Sequence, residues 1–294
     1  MTNYLITMLL GIIFSITFHL SRGMQQQGIK TLTYIKEKFQ GKTPQLAWKE
    51  GKPKIYFSGI ILSNSGIIWV VLAGRFAPAS YFTSMYGLGL LVMMWYSNII
   101  LKERINRSEH LGAFILIIGT ILIGLEGIFQ PELNYTNIRR EAVWWIVIGF
   151  TAVSLPILIL IRNHSNLVMK SLVFGIFTGG MVSFDPIFKN IGQNLNQHSG
   201  LLPASISGWT IFLLSLVFTT AAFGVTQWGF SKNMRAALFV PIHNSLYISF
   251  PIFVQLAALP GYRITLLTVC GILLILSGNL IMELNEMKYV CQQY

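Results

Sequence analysis

Charge is what this chain has least of. Of 294 residues only 11% are Asp, Glu, Lys or Arg, against roughly 25% in an ordinary soluble domain. A water-facing globular surface cannot be covered with so few, which excludes a soluble single-core protein. Acids are rarer than bases, ten against 21, for a net charge of +11. Cysteine is nearly absent too. Cys270 lies in an apolar run and Cys291 near the C-terminus, so neither a disulfide framework nor a thiolate metal cluster is encoded. A GxxxxGK(S/T) phosphate loop is missing, which excludes an ATP-driven motor within this chain. HExxH and paired His/Asp clusters are missing as well. The residues therefore imply no cofactor and no enzymatic activity.

Apolar residues are what is abundant: 53% of the chain, with a mean hydropathy of +0.61. A membrane-spanning helix needs about 20 of them in succession. Nine such runs are predicted, over 4–21, 55–73, 80–101, 110–129, 142–161, 168–189, 208–230, 236–259 and 264–282. The first has no positive flank and no small-residue cleavage site, so it reads as a retained span, not a signal peptide. The expected fold is an all-α polytopic membrane bundle of about nine transmembrane helices, with no room left for a soluble domain.

The positive charge resembles a nucleic-acid signal until it is placed on these spans. With the N-terminus outside, sixteen of the 21 Lys and Arg fall on one side. Only Arg75, Arg139, Arg140, Lys189 and Arg263 fall on the other. The rich side is then cytoplasmic, giving a multi-pass cell-membrane protein with its N-terminus out and its C-terminus in. The basic loop from Arg22 to Lys54 serves as a topology anchor; contact with anionic lipid heads is the alternative. The lipid bilayer is the expected partner and nucleic acid is not. A homodimer stays open.

A hydrophobic module occurs twice, from about Leu72 to Leu125 and from about Gln227 to Leu284. Each copy pairs two helices across a short polar turn, Lys102-Glu103-Arg104 in one and Pro260-Gly261-Tyr262-Arg263 in the other. The last helix of each carries two glycines seven residues apart, Gly112/Gly119 in GAFILIIGTILI and Gly271/Gly278 in GILLILSGNLIM. Gly11/Gly28 and Gly175/Gly192 form a weaker echo with a common spacing of seventeen. These glycines are expected to allow close helix packing. The parity of nine spans makes the two four-helix sets inverted, a 4 + 1 + 4 plan of pseudo-symmetric repeats. The first repeat occupies 1–130. The remainder, 131–294, comprises a linking helix at 142–161 and the second repeat at 168–284. The boundary near Gln130 to Arg140 is marked by Pro131, Asn134 and Asn137.

The run FAPASYFTSMYGLGLLVMMWYSNIILKERINRSEHLGAFILIIGTILI resembles the drug/metabolite transporter superfamily, of the EamA-like type. Its narrower similarity is to the NIPA-like branch, and TQWGFSKNMRAALFVPIHNSLY repeats it in the second half. The resemblance covers roughly 55–130 and 168–284. It is carried by Ala77-Pro78-Ala79 and by Glu103-Arg104 with the glycine helix behind them. It implies a carrier of nine or ten helices and, for NIPA-like members, transport of magnesium or other divalent cations. Superfamily members usually have ten spans, and the one missing here would be the first. One departure weakens the magnesium reading. Where NIPA-like sequences place an acid and an asparagine before the FAPA turn, this chain has Ile67 and Val70. Asn64, one helical turn earlier, substitutes in part but carries no charge.

Ionisable groups inside a span cost a few kcal/mol on insertion scales, which marks them as site candidates. Asp185 is expected to be the only acid well inside an apolar run. Pro186 beside it frees a carbonyl of the preceding turn and predicts a broken helix. A carboxylate next to free carbonyls suits a cation or a proton, so Asp185 is the candidate metal ligand. Its alternatives are solvation near the external surface or pairing with Lys189 one turn on. Lys189 falls where NIPA-like sequences also carry lysine; otherwise it is a residue that snorkels to the interface. His19 and His243 read as proton relays or as helix-to-helix hydrogen bonds. A shift of 157 positions sets Ser84-Met85-Tyr86-Gly87 against Pro241-Ile242-His243-Asn244, two polar interruptions at matching depth. Gln227 and Trp228 add a hydrogen-bonding group and an aromatic wall, or simply pack.

The sequence thus predicts a secondary carrier. Its site lies between spans three, six and eight, where Tyr86, Asp185, His243 and Asn244 face a polar cavity. Its substrate is a divalent cation or a small organic solute, a metabolite or drug moved by a proton-coupled carrier. A non-transporting membrane scaffold and a lipid-acting membrane enzyme are the competing classes.

Overall fold

Long apolar runs propagate as helix because each residue added after the first turn gains one backbone hydrogen bond. In hydrocarbon no water competes for those groups. The computed structural model describes residues 2–41, 43, 48–102, 107–129, 138–164, 166–195, 200–231 and 236–292. Lys42, Glu103-Arg104, Lys232, Arg235 and the boundary residues Pro131, Asn134 and Asn137 lie outside the described residues, as does the side chain of Cys291. The helices are α1 (Thr2–Gln27), α2 (Lys30–Phe39), α3 (Pro53–Asn64), α4 (Gly66–Gly74), α5 (Ala79–Ser84) and α6 (Gly89–Tyr96). They continue as α7 (Arg107–Phe129), α8 (Arg140–Ile161), α9 (Leu167–Asn194), α10 (Ile206–Ser231), α11 (Ala236–Ala258) and α12 (Leu266–Gln292). The described chain is an all-α bundle.

Five stretches are long and apolar enough to cross a membrane: Asn3–Gln25, Trp48–Gly74, Arg140–Ile161, Met169–Asn194 and Ile206–Gly229. Two shorter apolar helices are His110–Glu126 and Leu266–Ile281. Their outer surface is apolar, and a set of polar side chains is buried among the apolar core clusters. Leu9, Ile61, Trp145 and Leu160 are exposed, while Ser15, His19, Thr178 and Asn244 are wholly buried. That distribution is what a lipid solvent favours: apolar side chains outward, polar groups turned inward.

Two expected spans are interrupted. The second breaks at Ser65, whose Oγ donates to Leu62 O at 2.7 Å while Asn64 Nδ2 donates to Ile60 O at 2.8 Å. The third consists of α5, a 3₁₀ turn Met85–Leu88, α6 and a π turn Ser97–Leu101. Conversely, α9 runs through Pro186 without a break, which corrects the expected rupture at Asp185. Pro186 lacks its N–H, but the residues on either side keep helical bonding. The turn after α11 needs Gly261, whose φ of +91° is closed to most side chains.

Glycines set how closely the helices approach. A Cβ at Gly119 would lie 2.6 Å from Gly271 O, one at Gly271 would lie 2.9 Å from Gly119 O, and one at Gly278 would lie 2.6 Å from Gly112 O. The two pairs meet in opposite order along α7 and α12, so these helices cross antiparallel. Elsewhere Gly11 backs onto Phe82 O and Gly175 onto Phe239 O; Gly28 backs onto Tyr56 N and Gly192 onto Phe212 N. α1 packs on α3 to α6, and α9 packs on α10 and α11.

Candidate functional site

A polar stripe on α1 begins the site. Ser15, His19 and Arg22 are spaced four and three apart, so they share one face of an otherwise apolar helix. Ser15 mends the broken third run: its Oγ donates to Tyr86 O at 2.5 Å and accepts from Gly89 N at 2.8 Å. One turn on, His19 Nδ1 donates to Ser15 O at 2.8 Å, leaving Nε2 to accept from Asn244 Nδ2 at 3.4 Å. Another turn on, Arg22 reaches across to α11.

Arg22 Nη2 donates to His243 Nε2 at 3.1 Å, because a guanidinium has nothing but donors. The acceptor role of Nε2 puts the imidazole proton on Nδ1. That N–H faces Thr178 Oγ at 3.1 Å, and the Thr178 hydroxyl donates in turn to Phe174 O at 2.8 Å. Every bond in this chain has one donor and one acceptor only when His243 is neutral. The Arg22 guanidinium also sits 4.6 Å over the Phe18 ring, a cation–π contact. Around it stand Tyr86 and Tyr247, with ring centroids 4.6 Å apart, and His19, 4.7 Å from Tyr86. Two polar atoms of this cluster are buried without a partner, Arg22 Nη1 and Asn244 Oδ1.

Asp185 and Lys189 pair one turn apart on α9, both buried, with Nζ against both carboxylate oxygens. Asp185 precedes Lys189, the favourable order on a helix. Asp185 is within electrostatic reach of Tyr247. Seven residues of helix, about 10 Å of rise, separate it from Thr178. Of the two alternatives, pairing rather than solvation describes the carboxylate. Both oxygens of the Asp185 carboxylate are engaged by the Lys189 ammonium. Among the described residues, no group of three His, Cys, Asp or Glu side chains could hold a metal ion.

The remaining candidates are placed as follows. Tyr86, His19, His243 and Asn244 come together as described. Ser84 is buried beside them, but its hydroxyl donates to Tyr81 O at 2.9 Å within its own helix. Gln227 is half-buried on α10, and its neighbour Trp228 packs 5.5 Å from Phe174. Asn64 is exposed and bonded to its own helix, so it does not stand in for the missing carboxylate. Ile67 is exposed and Val70 buried.

Several residues escaped the sequence reading. Glu126 is 1% exposed, which corrects the expectation of a single interior acid. In the turn before α12, burial and the Glu126 carboxylate push the Tyr262 phenol up, partly offset by a hydrogen bond with Ser80. The Gln255 amide caps α5, accepting from Ala79 N at 3.2 Å and Ser80 N at 3.1 Å while donating to Ser80 Oγ at 2.6 Å. Asn190, Gln193 and Asn194 donate to carbonyls of Gly74 and Val71 at the end of α4, at 2.7 to 3.2 Å. These bonds answer the orphaned groups of two helix ends. The three- and four-residue spacing of Asn190, Gln193 and Asn194, which puts them on one face of α9, is the signal that could have found them.

Where a polar cavity is expected, Tyr86, His19, His243 and Asn244 are buried against one another. A cavity of about 20 Å³ lies beside Asn190 and Gln255, and an apolar groove of about 520 Å³ runs along α8 between Ile146, Phe150, Val173 and Phe250. Neither contains the Arg22–His243 contact. Comparison of the chain with family models, with curated proteins and with solved structures finds no match.

Proposed function

We propose that this chain is a secondary membrane carrier built from two inverted four-helix repeats joined by α8, with nine spans, the N-terminus outside and the C-terminus inside. The resemblance to the drug/metabolite superfamily, and within it to the NIPA-like branch, is one support. The observation that carries the reading is a set of paired contacts. A shift of 157 takes Tyr86 to His243 and Phe82 to Phe239, and a shift of 164 takes α1 onto α9. Under those two shifts Gly11 against Phe82 O corresponds to Gly175 against Phe239 O. Ser15 at Tyr86 O corresponds to Gly179 at His243 O, and Phe14 beside Tyr86 to Thr178 beside His243. The antiparallel glycine crossing of α7 and α12 exchanges its own two contacts under a shift of 159, which takes Gly112 to Gly271 and Gly119 to Gly278. Unrelated helices have no reason to repeat contacts at constant offsets.

Such repeats rock about a central site, and the polar cluster lies where the two equivalent turns meet. The closed packing corresponds to an occluded state. The family resemblance favours a divalent cation, yet the cluster's charged group is a guanidinium and Asp185 is paired. A small organic solute is therefore the better substrate class, moved by facilitated or gradient-coupled transport, with no enzymatic step. Proteoliposomes holding the purified protein, tested for flux of divalent cations, amines and amino acids, decide the matter. Flux of an organic solute supports the carrier. A folded protein that moves none of the panel favours the scaffold.

A further inference from the structure

The Arg22 guanidinium is a part-buried cation with unused hydrogen-bonding capacity. Among the described residues its polar contact is the neutral His243, and no carboxylate lies within ion-pair distance. Its Nη1 atom is buried with no acceptor. A buried N–H of a charged group left unpaired is among the costlier features a fold can keep. The Asp185–Lys189 pair, by contrast, is self-neutralised.

We propose that Arg22 is the anchor for an organic anion, a small carboxylate with an aromatic or apolar body, and that it sets the charge selectivity of the central site. The inference rests on the reading of that cluster as the solute site. A guanidinium offers parallel N–H groups that match a carboxylate's two oxygens. One of its nitrogens is held by His243 Nε2, which fixes the plane of the fork. Phe18, against which the guanidinium stacks, packs on Tyr86, and Tyr86 packs on Tyr247, so the neighbourhood of the guanidinium is aromatic. Asn244 Oδ1, buried and unpartnered, adds an acceptor for a hydroxyl or amino group on the solute. A divalent cation meets the opposite: a like charge and no free carboxylate in the cluster.

Three probes of one shape and three charges test this: benzoate, benzyl alcohol and benzylammonium. In neutral detergent, benzoate is expected to raise the thermal unfolding midpoint of the full-length protein at concentrations where benzylammonium does nothing. The concentration giving half the shift should rise at least about tenfold in Arg22→Gln and less in Arg22→Lys. The wild-type comparison stands even when Arg22→Gln does not fold. Equal or stronger stabilisation by benzylammonium overturns the proposal, as does a benzoate response untouched by a folded Arg22→Gln. A phosphatidylglycerol titration separates a lipid headgroup from a solute. Stabilisation by that lipid through Arg22, with none by benzoate, also overturns it. Benzoate binding without flux in proteoliposomes leaves the anion site standing and rejects the carrier. Flux of a cation indifferent to Arg22 does the reverse.

Discussion

Arg22 and His243, 221 positions apart in sequence, meet through a hydrogen bond of 3.1 Å that fixes the imidazole as its Nδ1–H tautomer. The bond has a consequence for substitution. Glutamine at 243 offers both an acceptor for Arg22 and a donor for Thr178, whereas leucine offers neither. His243→Gln is expected to stay within about 1 kcal/mol of wild type. His243→Leu should lose about 2–3 kcal/mol, because a charged donor is left buried without its acceptor. Chemical unfolding of the reconstituted protein reads both, and nitrogen-15 NMR of labelled histidine reads the tautomer. Equal stability of the two variants, or a protonated Nε2, contradicts the assignment.

The Asp185–Lys189 pair changes what a carboxylate variant means. Asp185→Asn removes one partner and leaves an ammonium buried, for an expected loss of about 3–5 kcal/mol. Replacing both, as Asp185→Asn with Lys189→Met, should recover most of it, since no uncompensated charge remains. Loss of transport in the single variant must accordingly be read against its stability. If the double variant is no more stable than the single one, the pair is not the reason Asp185 is there.

The α7–α12 crossing should tolerate no side chain at its contact points. Gly119→Val puts a branched Cβ against the Gly271 carbonyl and is expected to lower stability by about 1–3 kcal/mol. Gly149 and Gly224 have open space where a Cβ would go, and alanine there should change stability by less than about 1 kcal/mol. Thermal unfolding of the three variants compares them directly. A neutral Gly119→Val removes the glycine contact as a packing determinant.

Topology is open to labelling. In a background of Cys270→Ser and Cys291→Ser, a cysteine replacing Lys42 should resist an impermeant maleimide in intact cells and react once the membrane is opened. The sixteen-to-five division of basic residues motivates the expectation. Reaction from outside would reverse the orientation of the whole bundle.

The helices and their glycine seams were legible in the sequence because both are local properties. Run length decides where helix forms, and the seven-residue spacing of Gly112 and Gly119 puts both on one face whatever lies opposite. The Asp185–Lys189 pair was legible for the same reason, being one helical turn. What the residues alone could not reveal is which groups meet across helices. Arg22 counted as one more basic residue at a helix end, and only the fold of α1 against α11 turned it inward onto His243. Glu126 and Gln255 carried no signal that set them apart, and only packing buried one and set the other as the cap of α5. Asn64 carried the right chemistry but faces away from the cluster. Hydrophobic burial is roughly additive over a local run, so sequence predicts it. A hydrogen bond between helices depends on the relative rotation and depth of both, which no single segment encodes.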